Sequence, residues 1–525
     1  MKPPKMMRKN EEFKSNTNQN SIFEADFETA ISATKFGKFN LLLILIAVPC
    51  GWATVCDATT MSYILPSVYC DLGLNLEQRG MLNAITYFGM ISSAFLWGFL
   101  SDTLGRKKLL IIGFALDAFF IIVAGLSQTY EMILAAKYMT GFIINGPFAA
   151  FTTVLSEFHA KQYRAKVMLI LGIIYAVGNL ILPLMAWLIL PTNWKVIIVE
   201  NKFELRPWNF FIILSSLPSI LSCISHLFIP ESPKFLMTTG RNEEALQVLQ
   251  KVYALNTGKS KKSYPIQSLI DEIKESNTNT VTANRSSAKA LKEGFLQMKP
   301  LIQSPHLKNL TLTCLIQTGF LTSLNTLRLW LPQLYTTIND YQTAYPDDKD
   351  ANLCTMLGSI TSNVDVSQSE CLEFDSRDSV YFNVVIINIV NMIFYTLAGI
   401  FINKLGKKTI LIFLGILGTI SGVSIYFAQS VATTTTLTSL SNASLGVCSN
   451  ILITIVIDLF PTTLRTIAVS MVMMAGRSGS MVGNITFPML LQLGCWEPFF
   501  TIGGFVLVST VITFFLPKTD MKSLE

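Results

Sequence analysis

The sequence predicts an all-α membrane protein of twelve transmembrane helices, arranged as two six-helix, pseudo-symmetric halves. Three observations carry that expectation. Of the 525 residues, 51% are hydrophobic and 14% charged, where a soluble globular chain carries about a quarter charged residues. Twelve apolar segments long enough to cross a bilayer follow one another, six on each side of a long polar break. Two motifs also recur at one offset. GFLSDTLGRKKLL at Gly98–Leu110 returns as GIFINKLGKKTIL at Gly399–Leu411, so that Gly98/Gly399, Gly105/Gly406 and Arg106/Lys407 are all 301 positions apart. The pair Glu157 and Arg164 returns at the same offset as Asp458 and Arg465. Motifs repeated at one spacing are the signature of a membrane transporter built from structural repeats.

Composition excludes several classes. The formal net charge of +6 is no nucleic-acid signature, because the basic residues cluster in short loops rather than along one face. Nine cysteines form no CxxC pair, and the three histidines (His159, His226 and His306) lie far apart, so no metal site is expected. With no nucleophile–base–orienter set and no nucleotide loop, neither an enzyme nor a cofactor is expected.

Taken in order, residues 1–38 form a polar cytoplasmic tail without the apolar core of a cleavable signal peptide. Within it, Phe23, Phe27 and Ile31 at helical spacing predict a short amphipathic helix over Ile22–Ala33, lying on the membrane surface. The apolar segments of the first half (39–229) fall at about 39–66, 80–100, 109–127, 131–155, 165–190 and 208–229. Those of the second half (309–516) fall at about 309–336, 379–402, 409–428, 432–459, 464–493 and 498–516. Pro49, Pro147, Pro183, Pro218 and Pro488 are expected breaks. The break at 230–308 opens on PESPKFL; Leu246, Leu249 and Val252 predict an amphipathic helix over Glu243–Leu255, and 256–290 reads as a flexible Ser/Asn/Thr/Lys stretch. Residues 517–525 form a second cytoplasmic tail.

Orientation follows from the basic turns. Arg106–Lys108, Lys161/Arg164/Lys166, Lys404/Lys407/Lys408 and Arg465 all fall on one face if the spans alternate. The loop at 337–378, with nine acidic residues against two basic ones, then faces the lumen or the exterior. Both termini are expected in the cytoplasm, and the membrane is either the plasma membrane or that of an intracellular vesicle. Cys354 and Cys371 share that loop, so they are candidates for a disulfide, with two free thiols as the alternative. The Asn-x-Ser/Thr sequons at Asn284, Asn309, Asn442 and Asn484 fall in cytoplasmic or membrane segments, where glycosylation is not expected.

Charges inside spans are costly and therefore functional candidates. Asp57 lies about two thirds along the first span, Arg328 in the outer part of the seventh and Arg477 within the eleventh. Asp117 in the third span is deep too.

The GxxxDxxGRKK turn and its copy, Glu157…Arg164, PESPK at 230–234 and LPKT at 516–519 resemble the major facilitator superfamily, in the branch that holds sugar porters and organic-ion transporters. FGKFN (36–40), YILPSVYCDLGL (63–74), RGMLNAITYFGM (79–90), AFLWGFLSDTLGRKK (94–108), PESPKFL (230–236), LWLPQLY (329–335) and DLFPTTLR (458–465) are similar to the synaptic vesicle glycoprotein 2 group. Three departures stand out. Thr60 replaces the Glu that this group carries three residues after the Asp of the first span. The acidic loop is short and lacks sequons, and Asn403 stands where the first half has Asp102.

The resemblance implies one central cavity between two rocking halves, lined by spans 1, 7 and 11. It therefore places Asp57, Arg328 and Arg477 there as ligands for protons, cations or an anionic group. The competing reading is an internal Asp57–Arg328 bridge. Trp187 and Trp330 resemble positions where the group places tryptophans around its pocket, with Tyr63, Tyr87 and Tyr175 as weaker companions and simple packing as the alternative. Gly98, Asp102, Gly105, Arg106, Glu157, Arg164, Lys407, Asp458 and Arg465 then read as a cytoplasmic gate, Asp102 clamping onto a helix N-terminus of the opposite half. Lys137, where family members carry Arg, is assigned to the same network. The expected function is secondary transport of a small organic solute, an organic ion or sugar-like molecule, by a monomer in the lipid bilayer, with Asp57 as a route for proton coupling. The alternative is a non-transporting ligand-binding or trafficking protein that keeps the fold.

Overall fold

Hydrocarbon offers no partner for backbone N–H and C=O groups, so each apolar stretch must close its own hydrogen bonds as a helix. The computed structural model describes residues 24–192, 194–199, 203–270, 301, 303–304, 306–345, 353–362 and 378–517. Span 1 is Lys38–Leu72, span 2 Leu76–Leu104, span 3 Arg106–Gly125, span 4 Tyr130–Glu157 and span 5 Lys161–Ile189. Span 6 is split into Pro207–Leu214 and Leu217–Phe228. The second half supplies span 7 (His306–Ala344), span 8 (Asp378–Leu405), span 9 (Lys407–Ser424), span 10 (Val431–Leu459), span 11 (Thr462–Leu493) and span 12 (Trp496–Thr513).

Among the described residues, nine helical stretches are long and apolar enough to cross a membrane. Spans 2, 7 and 11 are not among them, and spans 7 and 11 fall short of that hydropathy. Span 7 shows why, with Gln317, Thr318, Thr322, Ser323, Asn325, Thr326 and Arg328 on neighbouring turns. These polar residues face protein. Gln317 Nε2 donates to Ser449 Oγ of span 10 (2.7 Å), and Asn325 Nδ2 donates to Ser480 Oγ of span 11 (2.8 Å). Gly476, Gly479 and Gly483 of span 11 sit directly against Leu321, Thr322 and Thr326 of span 7, so small residues let the two backbones approach closely. Of the five expected prolines, only Pro218 lies at a break. Pro49, Pro147, Pro183 and Pro488 lie inside continuous helices.

At the end carrying the basic turns, a polar layer covers the bundle. The amphipathic helix expected at Ile22–Ala33 is present as Phe27–Ala33, and Phe27 and Ile31 are buried. Its apolar face packs on protein rather than on a membrane surface, in one core with Leu236 and Leu249. Glu24–Ala25 pairs in parallel with Ser268–Leu269, and the Tyr264 hydroxyl donates to the Ala30 carbonyl at 2.6 Å. The second expected helix runs over Asn242–Thr257 with Leu249 and Val252 buried. Asn256 ties it to the start of span 1, accepting from Phe39 N (3.0 Å) and donating to the Lys35 carbonyl (2.8 Å).

At the opposite, acidic-loop end, the short helix Leu353–Ser362 docks through Leu353, Met356 and Leu357. Here the cysteine expectation is corrected. Cys354 is bonded to Cys495, just before span 12, with Cα atoms 5.5 Å apart, rather than to Cys371. Burial of Leu353, Met356 and Leu357 carries the helix away from its sequence neighbours and onto the span 12 end of the bundle. Cys371 lies outside the described residues. Cys70, at the same end of span 1, is also disulfide-bonded. The bridge closes a separation of 141 residues, so the Cys354→Ser/Cys495→Ser variant is expected to lose about 2–4 kcal/mol. A thermal melt indistinguishable from that of the unmodified chain under non-reducing conditions would count against the bridge.

Candidate functional site

Two groups of charges lie inside the bundle, and they are satisfied differently. The first is closed on itself. Asp57 of span 1 and Lys137 of span 4 are each 1% exposed, with Lys137 Nζ 3.8 Å from Asp57 Oδ1 and 3.4 Å from the Asp57 carbonyl. Asp117 of span 3, also buried, lies within hydrogen-bond reach of the Asp57 carboxyl. Its Oδ2 accepts from the Ser219 hydroxyl of span 6 at 2.6 Å. Both carboxyl oxygens of Asp57, and Oδ1 of Asp117, are buried without a hydrogen-bond donor. Two expectations change here. Lys137 does not belong to the turns at the basic end; it sits seven residues into span 4 from the other end, roughly 10 Å along the helix. Asp57 is neutralised within its own half and does not bridge to Arg328.

The second group is open. A cavity between the halves is walled by Tyr63 (span 1), Asn179 (span 5), Arg328 (span 7), Asn391 and Tyr395 (span 8) and Asn442 (span 10). Arg328 donates through Nη2 to Asn179 Oδ1, and Arg477 of span 11 donates through Nη1 to Asn145 Oδ1 of span 4. Each arginine therefore reaches from the second half to an amide of the first. Tyr87 of span 2 lies close enough to feel both guanidinium charges. Among the described residues, neither arginine has a carboxylate partner. Trp187 and Trp330 lie outside this wall. Trp330 packs at a tilt on Phe487 with centroids 5.1 Å apart, and Trp187 meets Phe382 edge-on at 6.3 Å. The residues missed in the sequence are the amides, and a signal existed: asparagines inside strongly apolar segments carry the same cost argument as charges.

The halves also touch at the acidic-loop end. Gly80 of span 2 packs against Pro488 and the Asn484 carbonyl of span 11, and Asn83 Nδ2 donates to the Leu329 carbonyl at 3.5 Å.

At the basic end the duplicated turns have one backbone geometry. Gly105 has φ 87° and ψ 155°, and Gly406 has φ 82° and ψ 147°. That left-handed φ suits glycine. The side chains of Asp102 and Asn403 lie outside the described residues, as do the surroundings of Gly98. The described charges bond within their own halves. Glu231 of PESPK accepts from the backbone N–H groups of Arg106 (3.0 Å) and Lys107 (3.1 Å), placing a carboxylate on the N-terminus of span 3. Arg106 lies 3.8 Å from Glu157 and 4.9 Å above the Phe235 ring. Glu157 also accepts from the Ser232 hydroxyl. Arg164 pairs with Glu28 of the N-terminal helix at 2.9 Å rather than with Glu157. In the second half Lys407 pairs with Asp458 at 2.5 Å, and Arg465 is half-buried with Nε unpartnered. Glu231 and Ser232 stood in the quoted motif without a role, because nothing in a linear sequence says which turn a loop will cap.

Comparison with known proteins agrees with this geometry. Residues 32–339 match the family described as "Sugar (and other) transporter", and residues 350–524 match the Major Facilitator Superfamily. Synaptic vesicle glycoprotein 2B of Rattus norvegicus is 32% identical over 230 residues, 44% of this chain and 34% of the relative. Its Homo sapiens counterpart is 28% identical over 323 residues, 59% of this chain and 47% of the relative. The match thus spans between a third and a half of these longer proteins. A partially occluded, inward-open xylose transporter from E. coli superposes with a TM-score of 0.63 at 14% identity, covering 92% of this chain and 100% of that one. A nucleoside transporter superposes at 0.56 with 11% identity, covering 91% and 98%. At such identities the likeness is one of fold.

The closed cluster sets a stability expectation. Lys137→Met leaves buried carboxylates without their cation, and is expected to cost about 3–5 kcal/mol. Asp57→Asn combined with Lys137→Met should recover much of that loss. Chemical or thermal denaturation of the two variants measures the coupling, and strictly additive losses would exclude it.

Proposed function

Because this chain belongs to the sugar (and other) transporter family of membrane proteins, we propose that it is a secondary transporter that moves a small organic solute by alternating access, coupled to protons at Asp57, Asp117 and Lys137. One observation carries the coupling. Two carboxyl groups and one ammonium share a buried site, and the carboxyls face each other without a donor between them. Fully ionised, that set carries one uncompensated negative charge in a medium where such a charge is expensive. One added proton, shared between the two carboxyls, makes it neutral and supplies the missing donor. Lys137 holds Asp57 when the proton is absent, and Ser219 holds the Asp117 oxygen on the far side.

Span 1 connects this site to the cavity. Asp57 and Tyr63 are six residues apart on one helix, about 9 Å along its axis. A change in how Asp57 binds Lys137 therefore moves a helix that forms part of the cavity wall. Alternating access draws support from where the halves touch. Gly80, Asn83, Leu329 and Pro488 close the acidic-loop end, while the described charges of the basic turns bond within their own halves and leave that end free to part. The excess of Lys and Arg in its short turns supports a cytoplasmic position for the basic end. Gly98, Asp102, Arg106, Glu157, Lys407, Asp458 and Arg465 act there as the gate that closes when the other end opens, and Arg164 anchors the N-terminal helix beside it.

Proteoliposome uptake tests this. A thermal-shift screen of sugars, nucleosides, organic anions and organic cations first identifies a stabilising solute. An inward proton gradient should then raise its uptake, within the 5- to 150-fold range of ordinary site-to-site coupling. Asp57→Asn should lose the gradient dependence while keeping solute-induced stabilisation. Gradient-driven uptake unchanged in that variant removes Asp57 from the mechanism. Solute binding with no flux under any gradient favours the non-transporting reading.

A further inference from the structure

The charges that wall the cavity do not balance, and the imbalance identifies the cargo class. Arg328 lies in the wall, and Arg477 shares the neighbourhood of Tyr87 with it. The charges described as acting on Asp57 are Lys137 and Asp117, so its carboxylate is spent within its own cluster. The polar groups around Arg328 are phenols and amides, namely Tyr63, Tyr395, Asn179, Asn391 and Asn442. A guanidinium has five N–H donors and no acceptor, and the bond described for Arg328 goes to a neutral amide. A cation inside a span ordinarily finds a counter-charge. Here nothing in the described chain supplies one.

The amides add a second, independent constraint. Asn442 is 2% exposed, and its Nδ2 is committed to the Thr438 carbonyl of its own helix at 3.1 Å. That bond fixes the amide so that Oδ1, buried and unpartnered, is an acceptor. Asn391 Oδ1 in the same wall is buried and unpartnered as well. The cavity wall therefore offers both guanidinium donors and amide acceptors.

We propose that the cargo is a small hydroxylated organic anion, its carboxylate taken by Arg328 in the field of Arg477 and its hydroxyl groups donated to Asn442 and Asn391. A carboxylate matches the planar fork of a guanidinium with two parallel hydrogen bonds. A neutral sugar satisfies the amides and leaves both cations uncompensated. An organic cation meets repulsion from both. This inference rests on the transport reading and narrows it to one chemical class.

Glucuronate, gluconate, glucose and choline separate the classes in a thermal-shift titration of the purified full-length protein at fixed pH and ionic strength. Glucuronate and glucose share a ring and differ in one charged group. Glucuronate or gluconate is expected to protect at a concentration at least about tenfold below that of glucose, the effect of one charge-assisted contact, and choline should not protect. Arg328→Gln should erase the difference between glucuronate and glucose, while Arg328→Lys keeps part of it. Should Arg328→Gln elute as aggregate, Asn442→Asp provides the test, because a carboxylate placed in that wall should abolish protection by the anions. Protection by glucose or choline at equal or lower concentration than by the anions overturns the inference and leaves transport standing. So does anion protection that survives both Arg328→Gln and Asn442→Asp. If no solute of any class protects and none is taken up, the transport reading falls and this inference with it.

Discussion

A charge in the interior of a membrane bundle has to be answered by the chain or by something the chain binds, because hydrocarbon supplies neither counter-ion nor hydrogen bond. Much of this structure follows from how that demand is met. In the first half, Asp57, Asp117, Lys137 and Ser219 come from four different spans and close on one another. The four helices are held together at a point where each would otherwise carry an intolerable group. Across the interface between halves, among the described residues, Arg328 and Arg477 are answered by amides and phenols. On the proposed reading, a proton completes one cluster and an anion the other.

The duplication at an offset of 301 residues is visible in the backbone and in one ion pair per half, Arg106 with Glu157 and Lys407 with Asp458. Gly105 and Gly406 share one left-handed geometry, so both turns aim a helix N-terminus and its basic residues in the same way. Beyond that shared pair, what each turn meets differs. Span 3 begins against Glu231, and Arg106 lies between Glu157 and Phe235, so the PESPK segment is stitched onto the first half. The second-half turn pairs Lys407 with Asp458, and Lys408 caps the carbonyls of Phe514 and Leu516 at the end of span 12.

Fold class was legible because hydropathy and repeat spacing are local properties of the sequence, and lipid forces one answer on an apolar stretch of twenty residues. The amphipathic helices at Phe27–Ala33 and Asn242–Thr257 were legible for the same reason. Partners were less so. Lys137 was drawn to the gate by its resemblance to a family arginine, although its depth along span 4 put it at the level of Asp57. Arg164 pairs with Glu28, a residue 136 positions away that no motif connects to it. Cys354 passed over its loop neighbour Cys371 for Cys495 because the Leu353 helix docks through its apolar face. In each case the deciding factor was which elements pack together. Asp57, Arg328 and Arg477 could be singled out without that knowledge, since burial cost alone marks them.

The arginine–amide bonds have a consequence for motion. Arg328 to Asn179 and Arg477 to Asn145 both cross from the second half to the first, so they help hold the halves in their present relation. A guanidinium exchanges a neutral amide for a carboxylate with a gain, since the charged acceptor is the stronger partner. On the proposed reading, an anion entering the cavity competes for the same donors that link the halves, so that loading weakens the interface it occupies. Conversely, when the site is empty the amides serve as substitutes that keep the arginines satisfied and the halves together. Span 1 lies beside both events, with Asp57 in the proton cluster and Tyr63 in the cavity wall. If both proposals hold, a helix that must satisfy both sites at once gives proton state and cargo state a direct mechanical route to one another, with no relay through the distant turns.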